Sequence, residues 1–166
     1  MKRKRFDKMN CGIAQALEAC GDWWTLLIVR DAFFGARRFG EFQRSLGIAK
    51  NILSARLAHL VEHGILERID AGREGERFEY RLTAKGEALL TVLTALREWA
   101  DEWVFGRGNE PLVVRDRRSR RRIAKLCVTD ADGTPLTLSD LRMEAGPGAS
   151  RETIQRLSSR ARTNKA

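Results

Sequence analysis

Residues 38–82, RFGEFQRSLGIAKNILSARLAHLVEHGILERIDAGREGERFEYRL, decide the fold of this 166-residue chain. Phe39, Phe42 and Leu46 fall three to four residues apart, the spacing of one buried stripe on a short helix, and Gly47 stands where a left-handed residue ends it. A second helix is expected over Asn51 to His63. There Leu53, Leu57, Leu60 and Val61 line one face, and Gly64 stops the helix before the apolar, strand-like Ile65-Leu66. Two helices joined by a short turn containing Gly make a helix-turn-helix. From Arg77 to Leu82 polar and apolar residues alternate, so Phe78, Tyr80 and Leu82 share a face that packs inward, and Gly72-Arg73-Glu74-Gly75-Glu76 is a polar loop between two strands. Helix, helix, hairpin is a winged helix-turn-helix, a mainly α fold with a β-hairpin wing (α+β).

With the leucines inside, 3.6 residues per turn point Asn51, Ala55, Ala58, His59 and Glu62 outward. Small Ala55 and Ala58 let the helix backbone approach a groove floor. Lys50, Asn51, Ser54 and Arg56 supply donors near the first turns, where recognition helices touch bases. An ordinary amphipathic surface helix shows the same residue types on a solvated face; the hairpin that follows tips the reading towards DNA. The outer face of Asn51 to His59 is therefore assigned to the major groove, and Arg37, Arg38, Arg56, Arg73 and Arg77 are candidates for phosphate contacts.

Five separated segments occur in an order that resembles the HxlR-type transcriptional regulators, relatives of the MarR-like winged helices. They are Cys11-Gly12-Ile13-Ala14, Trp24-Thr25-Leu26-Leu27-Ile28, Arg38-Phe39-Gly40-Glu41-Phe42, Leu53-Ser54-Ala55-Arg56-Leu57 and Glu79-Tyr80-Arg81-Leu82-Thr83. The likeness runs from Cys11 to about Val104. It implies a cytoplasmic bacterial homodimer that binds a short palindromic operator in double-stranded DNA and acts as a repressor or activator. Some members of the resembled family use a cysteine at the position of Cys11 to sense oxidants or electrophiles, which makes Cys11 a candidate redox sensor and a small-molecule or redox effector a candidate partner. Two departures stand out. Ala49-Lys50 replaces the Ser-Pro expected before the recognition helix, so the usual cap and first-turn proline are absent. In the wing, Glu74 and Glu76 offset Arg73 and Arg77, which weakens it as a phosphate clamp.

The formal charge is +9 and the pI about 10.2, which suits a polyanionic partner. Its distribution is uneven: Met9 to Gly106 holds 12 basic and 14 acidic residues, a balance of −2. The excess lies in two arms, Lys2-Arg3-Lys4-Arg5 with Lys8, and Arg115 to Lys125, either of which could lie along phosphates or simply be solvated. Three segments follow from this: a basic N-terminal arm (1–8), a DNA-binding and dimerisation domain (9–106) and a basic C-terminal extension (107–166). In the extension, Ile123 to Thr129 and Pro135 to Leu138 flank the turn Asp130-Ala131-Asp132-Gly133 as a small β-hairpin, and Ser150 to Arg162 is expected to be a polar helix.

The basic start is not followed by a secretory cleavage site, and the apolar run Trp23 to Phe34 is too short and too interrupted to span a bilayer, so a soluble, cytoplasmic protein with no membrane association is expected. That run reads as a nearly all-round buried helix, capped by Asp22 and closed by Gly35; Trp23 and Trp24 either both fill the core or one reaches a partner chain. From Thr83 to about Phe105 a long helix carries an apolar stripe that exceeds what a small body needs. Ile13, Leu17, Leu89, Leu93, Leu96, Trp99 and Trp103 are the dimerisation candidates, with a purely intramolecular core as the competing reading.

Cys11, Cys20 and Cys127 form no metal or disulfide spacing. Cys20 reads as core, whereas Cys11 stands at a helix start beside Lys8, where dipole and cation favour the thiolate. His59 and His63 lie four apart but lack a third ligand, so neither a metal nor any cofactor is assigned. No phosphate loop, nucleophile elbow or carboxylate pair is present, and an enzyme is not expected. The alternative from another class is a winged-helix protein-interaction module without specific DNA binding.

Overall fold

A computed structural model describes residues 6–72 and 78–163, with side chains as far as 159. By internal contacts the chain divides into two units, residues 16–124 and residues 1–15 with 125–166.

The larger unit is built on helices α1 (Gly12–Cys20, its last turns), α2 (Trp23–Phe33), α3 (Phe39–Leu46) and α4 (Lys50–Glu62), strands β1 (Leu66–Asp70) and β2 (Phe78–Leu82), and helices α5 (Ala84–Glu87) and α6 (Leu89–Ala100), the last running into a π-helical turn over Asp101–Phe105. Mainly α with one two-stranded antiparallel hairpin is the α+β winged fold read from the sequence.

Each boundary has a local cause. Asp22 accepts the Trp24 N–H at 3.0 Å and starts α2. Glu41 takes the N–H groups of Arg37 and Arg38 at 2.7 and 3.0 Å and fixes the entry to α3. Gly47 adopts φ +60° and returns its N–H to Gln43, so the chain leaves α3 through the left-handed conformation that glycine alone adopts cheaply. Ala49 caps α4 without a side-chain hydrogen bond, as expected from the missing Ser-Pro.

The core gathers Cys20, Ile28, Val29, Ala32, Phe42, Ile48, Leu53, Leu57, Leu60, Ile65 and Leu66. The leucine stripe of α4 is completely enclosed, and Tyr80 meets Phe42 edge-on at 6.5 Å, tying the hairpin to α3. The β1/β2 register pairs Leu66 with Leu82 and Asp70 with Phe78. The wing tip, with Arg73 and Arg77, lies outside the described residues.

Two expectations are corrected. Helix α2 is not buried all round: Thr25, Ile28, Val29, Asp31 and Ala32 face the core, but Trp23 is 74% exposed and Phe34 also stands in solvent. A run apolar on every side gives no stripe from which to read its inner face. The long helix is also broken at Ala88, where α5 ends and α6 begins. Thr83 caps α5, accepting the Gly86 N–H at 3.1 Å and donating to the Gly64 carbonyl at 2.6 Å. A Cβ on Gly86 would lie 2.2 Å from the Ile65 carbonyl oxygen, so this helix approaches the backbone just before β1 only because the position has no side chain.

In the smaller unit, Thr129 and Pro135 bridge across the turn at Asp130–Gly133, Leu138–Asp140 form one 3₁₀ turn, and α7 covers Arg151–Thr163. The expected hairpin is thus a single bridged turn rather than two full strands, which suits segments with few apolar neighbours. No helix among the described residues is long and apolar enough to cross a membrane.

Candidate DNA-binding surface

Helix α4 is held from behind and open in front. Leu53, Leu57 and Leu60 are 0% exposed, whereas Lys50, Asn51, Ser54, Ala55 and Ala58 are exposed. Four of the six helix positions proposed for groove contact, Lys50, Asn51, Ser54 and Ala55, therefore share one accessible face at the first turns of the helix, with two small side chains that leave the backbone approachable.

The other two, Arg56 and His59, are engaged with protein. Arg56 pairs with Asp22 at 3.0 Å, and His59 Nε2 lies 3.0 Å from the Ala19 carbonyl oxygen at the end of α1. Both side chains are partly buried, so His59 does not point outward as the helical wheel implied. Their partners sit over 30 residues upstream and carry no local signature. Asp22 accordingly has a second task that the sequence did not reveal: it caps α2 with one carboxylate oxygen and clamps α4 with the other. The two histidine rings are 4.3 Å apart between centroids, and among the described residues no group of three or more His, Cys, Asp or Glu is placed to hold a metal ion.

Arg37 and Arg38 serve the scaffold. The Arg37 guanidinium donates to the carbonyls of Ala32 and Ala36 at 2.7 and 3.0 Å, at the C-terminal end of α2 where a cation is favoured. Arg38 lies 3.8 Å from Glu79 of β2, and the Tyr80 N–H donates to the Arg37 carbonyl at 2.7 Å, so this segment pins the wing to the entry of α3. Glu41, held by the two backbone N–H groups of Arg37 and Arg38, titrates below the usual carboxylate range.

The proposed dimerisation stripe divides. Leu89 and Leu93 pack against the core of their own chain. Leu96, Trp99 and Trp103 are 51%, 58% and 71% exposed, and Leu90, Val92, Val104 and Phe105 add to the open apolar surface of the same element. Leu17 is half exposed and Ile13 more so.

In the smaller unit, Cys11 is half-buried at the start of α1, and the backbone N–H groups of Ala14 and Ile13, with a weaker contribution from the charge of Arg156, hold its thiol below its ordinary value. It borders a cavity of about 530 Å³ lined also by Asn10, Gln15, Gly146, Gly148 and Thr153. Asn10 closes this region, donating to the Gly148 carbonyl at 3.1 Å and accepting from the Ser150 N–H at 2.8 Å. Cys20 behaves oppositely: it is buried in the core, its Sγ donates to the Ala16 carbonyl at 3.1 Å, and burial pushes its thiol up. Cys127 is exposed.

Known proteins place this architecture. Residues 19–107 match the family of HxlR-like helix-turn-helix proteins. Over 144 residues the chain is 38% identical to an uncharacterized HTH-type transcriptional regulator of Mycobacterium tuberculosis, covering 87% of this chain and 90% of that one. Among solved structures, PA1607, a candidate transcription factor, superposes with a TM-score of 0.79 at 43% identity over 86% of this chain and 100% of the other. The redox regulator HypR in its oxidized form gives 0.51 at 27% identity, over 54% and 94% of the two chains. The exposed α4 face on a winged scaffold and these likenesses agree: the chain belongs to the HxlR-like helix-turn-helix family of DNA-binding transcriptional regulators.

Proposed function

We propose that this regulator works as a homodimer on a palindromic operator, with Lys50, Asn51, Ser54 and Ala55 of each α4 reading base edges in successive major grooves. The observation that carries the reading is the division of α4 into an enclosed leucine face and an open polar face. Arg56 and His59 position the helix and reach DNA only at its margin; Arg37 and Arg38 stiffen the junction with the wing, and Arg73 and Arg77 of the wing tip complete the phosphate contacts. A dimer is supported by the apolar surface of Leu96, Trp99 and Trp103, because a soluble protein seldom leaves so much aromatic area contiguous and open. Two reading heads spaced by one DNA turn would give the specificity that a single helix lacks.

The functional division is then a basic arm (1–8), the reading and dimerising body (9–106) and a basic extension (107–166), in a cytoplasmic protein that represses or activates transcription and has no catalytic role. Cys11 is the proposed redox-sensing residue, supported by its lowered thiol pKa and by the likeness to a redox regulator. Thiol oxidation would change the angle between the reading heads and so their fit to half-site spacing.

Gel retardation on duplex DNA from upstream of its own coding sequence, with salt raised stepwise, tests the proposal. Selective retention over unrelated duplex at moderate salt supports it; no retention even at low salt favours a winged-helix protein-interaction module instead.

A further inference from the structure

Within the larger unit, residues 115–122 form a structured turn. Arg115 and Arg122 bridge in antiparallel fashion, and the Asp116 N–H donates to the Arg121 carbonyl at 2.9 Å. The Asp116 carboxylate accepts the backbone N–H groups of Arg118 and Ser119, while its own carbonyl takes the Arg120 N–H. A single carboxylate thus organises the turn from within, and these hydrogen bonds lower its pKa, so it stays ionised and in place. Two of the arginines are occupied, Arg115 with the Arg120 carbonyl at 3.0 Å and Arg122 with Glu110 at 3.9 Å.

The other four, Arg117, Arg118, Arg120 and Arg121, are exposed and have no ion pair among the described residues. Arg120 has φ +60°, a conformation in which glycine would be unstrained, so the chain carries backbone strain at the one residue of the turn where exchange for glycine would remove a charge. Meanwhile the body over Met9 to Gly106 is net negative by 2 and Arg38 and Arg56 are paired with carboxylates. The basic excess of the chain therefore lies outside that span.

We propose that the turn at Arg115–Arg122 is a second DNA-contacting element, in which Arg117, Arg118, Arg120 and Arg121 engage duplex phosphates without reading sequence. The proposal rests on the assignment of the chain as a DNA-binding regulator, which selects duplex DNA among polyanions. Guanidinium groups carried on a short hydrogen-bonded turn suit phosphate oxygens, and each neutralised phosphate steepens the salt dependence of binding by about 0.9 in log–log slope.

The test measures that slope for the full chain on upstream duplex and on unrelated duplex. In the variant Arg117→Gln/Arg118→Gln/Arg120→Gly/Arg121→Gln the slope is expected to fall by about two to four on both DNAs, with the ratio of the two affinities preserved. Arg120→Gly alone is expected to lower the slope by about 0.9 while the unfolding midpoint holds or rises, which separates loss of charge from loss of fold. Unchanged slopes in variants of a protein that binds DNA overturn the proposal and leave the family reading intact; failure of the unaltered chain to bind any duplex removes both. Loss of binding to anionic phosphatidylglycerol vesicles or to single-stranded RNA with the duplex slope unchanged also overturns it, assigning the turn to another polyanion.

Discussion

Helices α4 and α6 are of similar length and both amphipathic, yet their fates in the folded chain differ. The leucine face of α4 is used up: its three central leucines are fully enclosed, and apart from Ile52 what stands outside is polar or small. On α6 no residue is fully buried; Leu89 and Leu93 lean on the core while Leu90, Val92, Leu96 and Trp99 stay open. One helix is finished within a single chain and offers hydrogen-bonding groups to a polar partner. The other is unfinished, and the missing half of its environment is supplied by the second subunit in the proposed dimer. In the proposed function, reading and pairing are thereby assigned to different elements of one body.

That contrast can be broken in several ways. Leu57→Ala should leave a cavity behind α4 and cost roughly 2–5 kcal/mol, seen as a lower urea midpoint. Trp99→Ala with Trp103→Ala should do the reverse, weakening self-association by about 2–4 kcal/mol, or roughly 30- to 1,000-fold in sedimentation equilibrium. A double variant that remains as tightly dimeric as the parent would place the interface elsewhere. Gly86→Ala forces a Cβ onto the Ile65 carbonyl and should cost about 1–3 kcal/mol by displacing α5 from the sheet, measurable in the same urea titration.

The smallest effect concerns pH. Because Glu41 has a folded pKa below its ordinary 4.5, the stability it contributes is fully present above that value and is lost as pH falls through the folded pKa. Glu41→Gln should therefore flatten the acid limb of the stability profile and change little near neutrality; an unaltered acid limb would show that the cap at Arg37 and Arg38 does not carry it.

The sequence exposed those features whose cause is local. Phe39, Phe42 and Leu46, then Leu53, Leu57 and Leu60, repeat at helical intervals, and Gly47 is required by the backbone at one point, so the helix-turn-helix could be read from 38–64 directly. Asp22 as the cap of α2 was legible for the same reason. Arg56 and His59 were not, because a helical wheel supplies an angle and no neighbours: Asp22 and the Ala19 carbonyl approach them from a distant part of the chain. For Trp23 the sequence leaves core and partner chain both open, because α2 is apolar on every side and composition alone does not say which side meets protein. The break at Ala88 lies two residues after the close approach of Gly86 to the Ile65 carbonyl, a tertiary contact that no local pattern announces. The apolar stripe proposed for dimerisation was legible in its period but not in its division, since Leu89 and Leu93 obey the same spacing as Leu96 and Trp103.

The central claim is that the open face of α4 reads base edges. Its most direct test is the ratio of affinities for upstream duplex and unrelated duplex at fixed salt, compared between the parent chain and Asn51→Ala/Ser54→Ala. Both positions are exposed, so the fold should be unchanged while about 1–3 kcal/mol of discrimination is lost and non-specific binding is retained. A variant that keeps the parental affinity ratio would contradict the account.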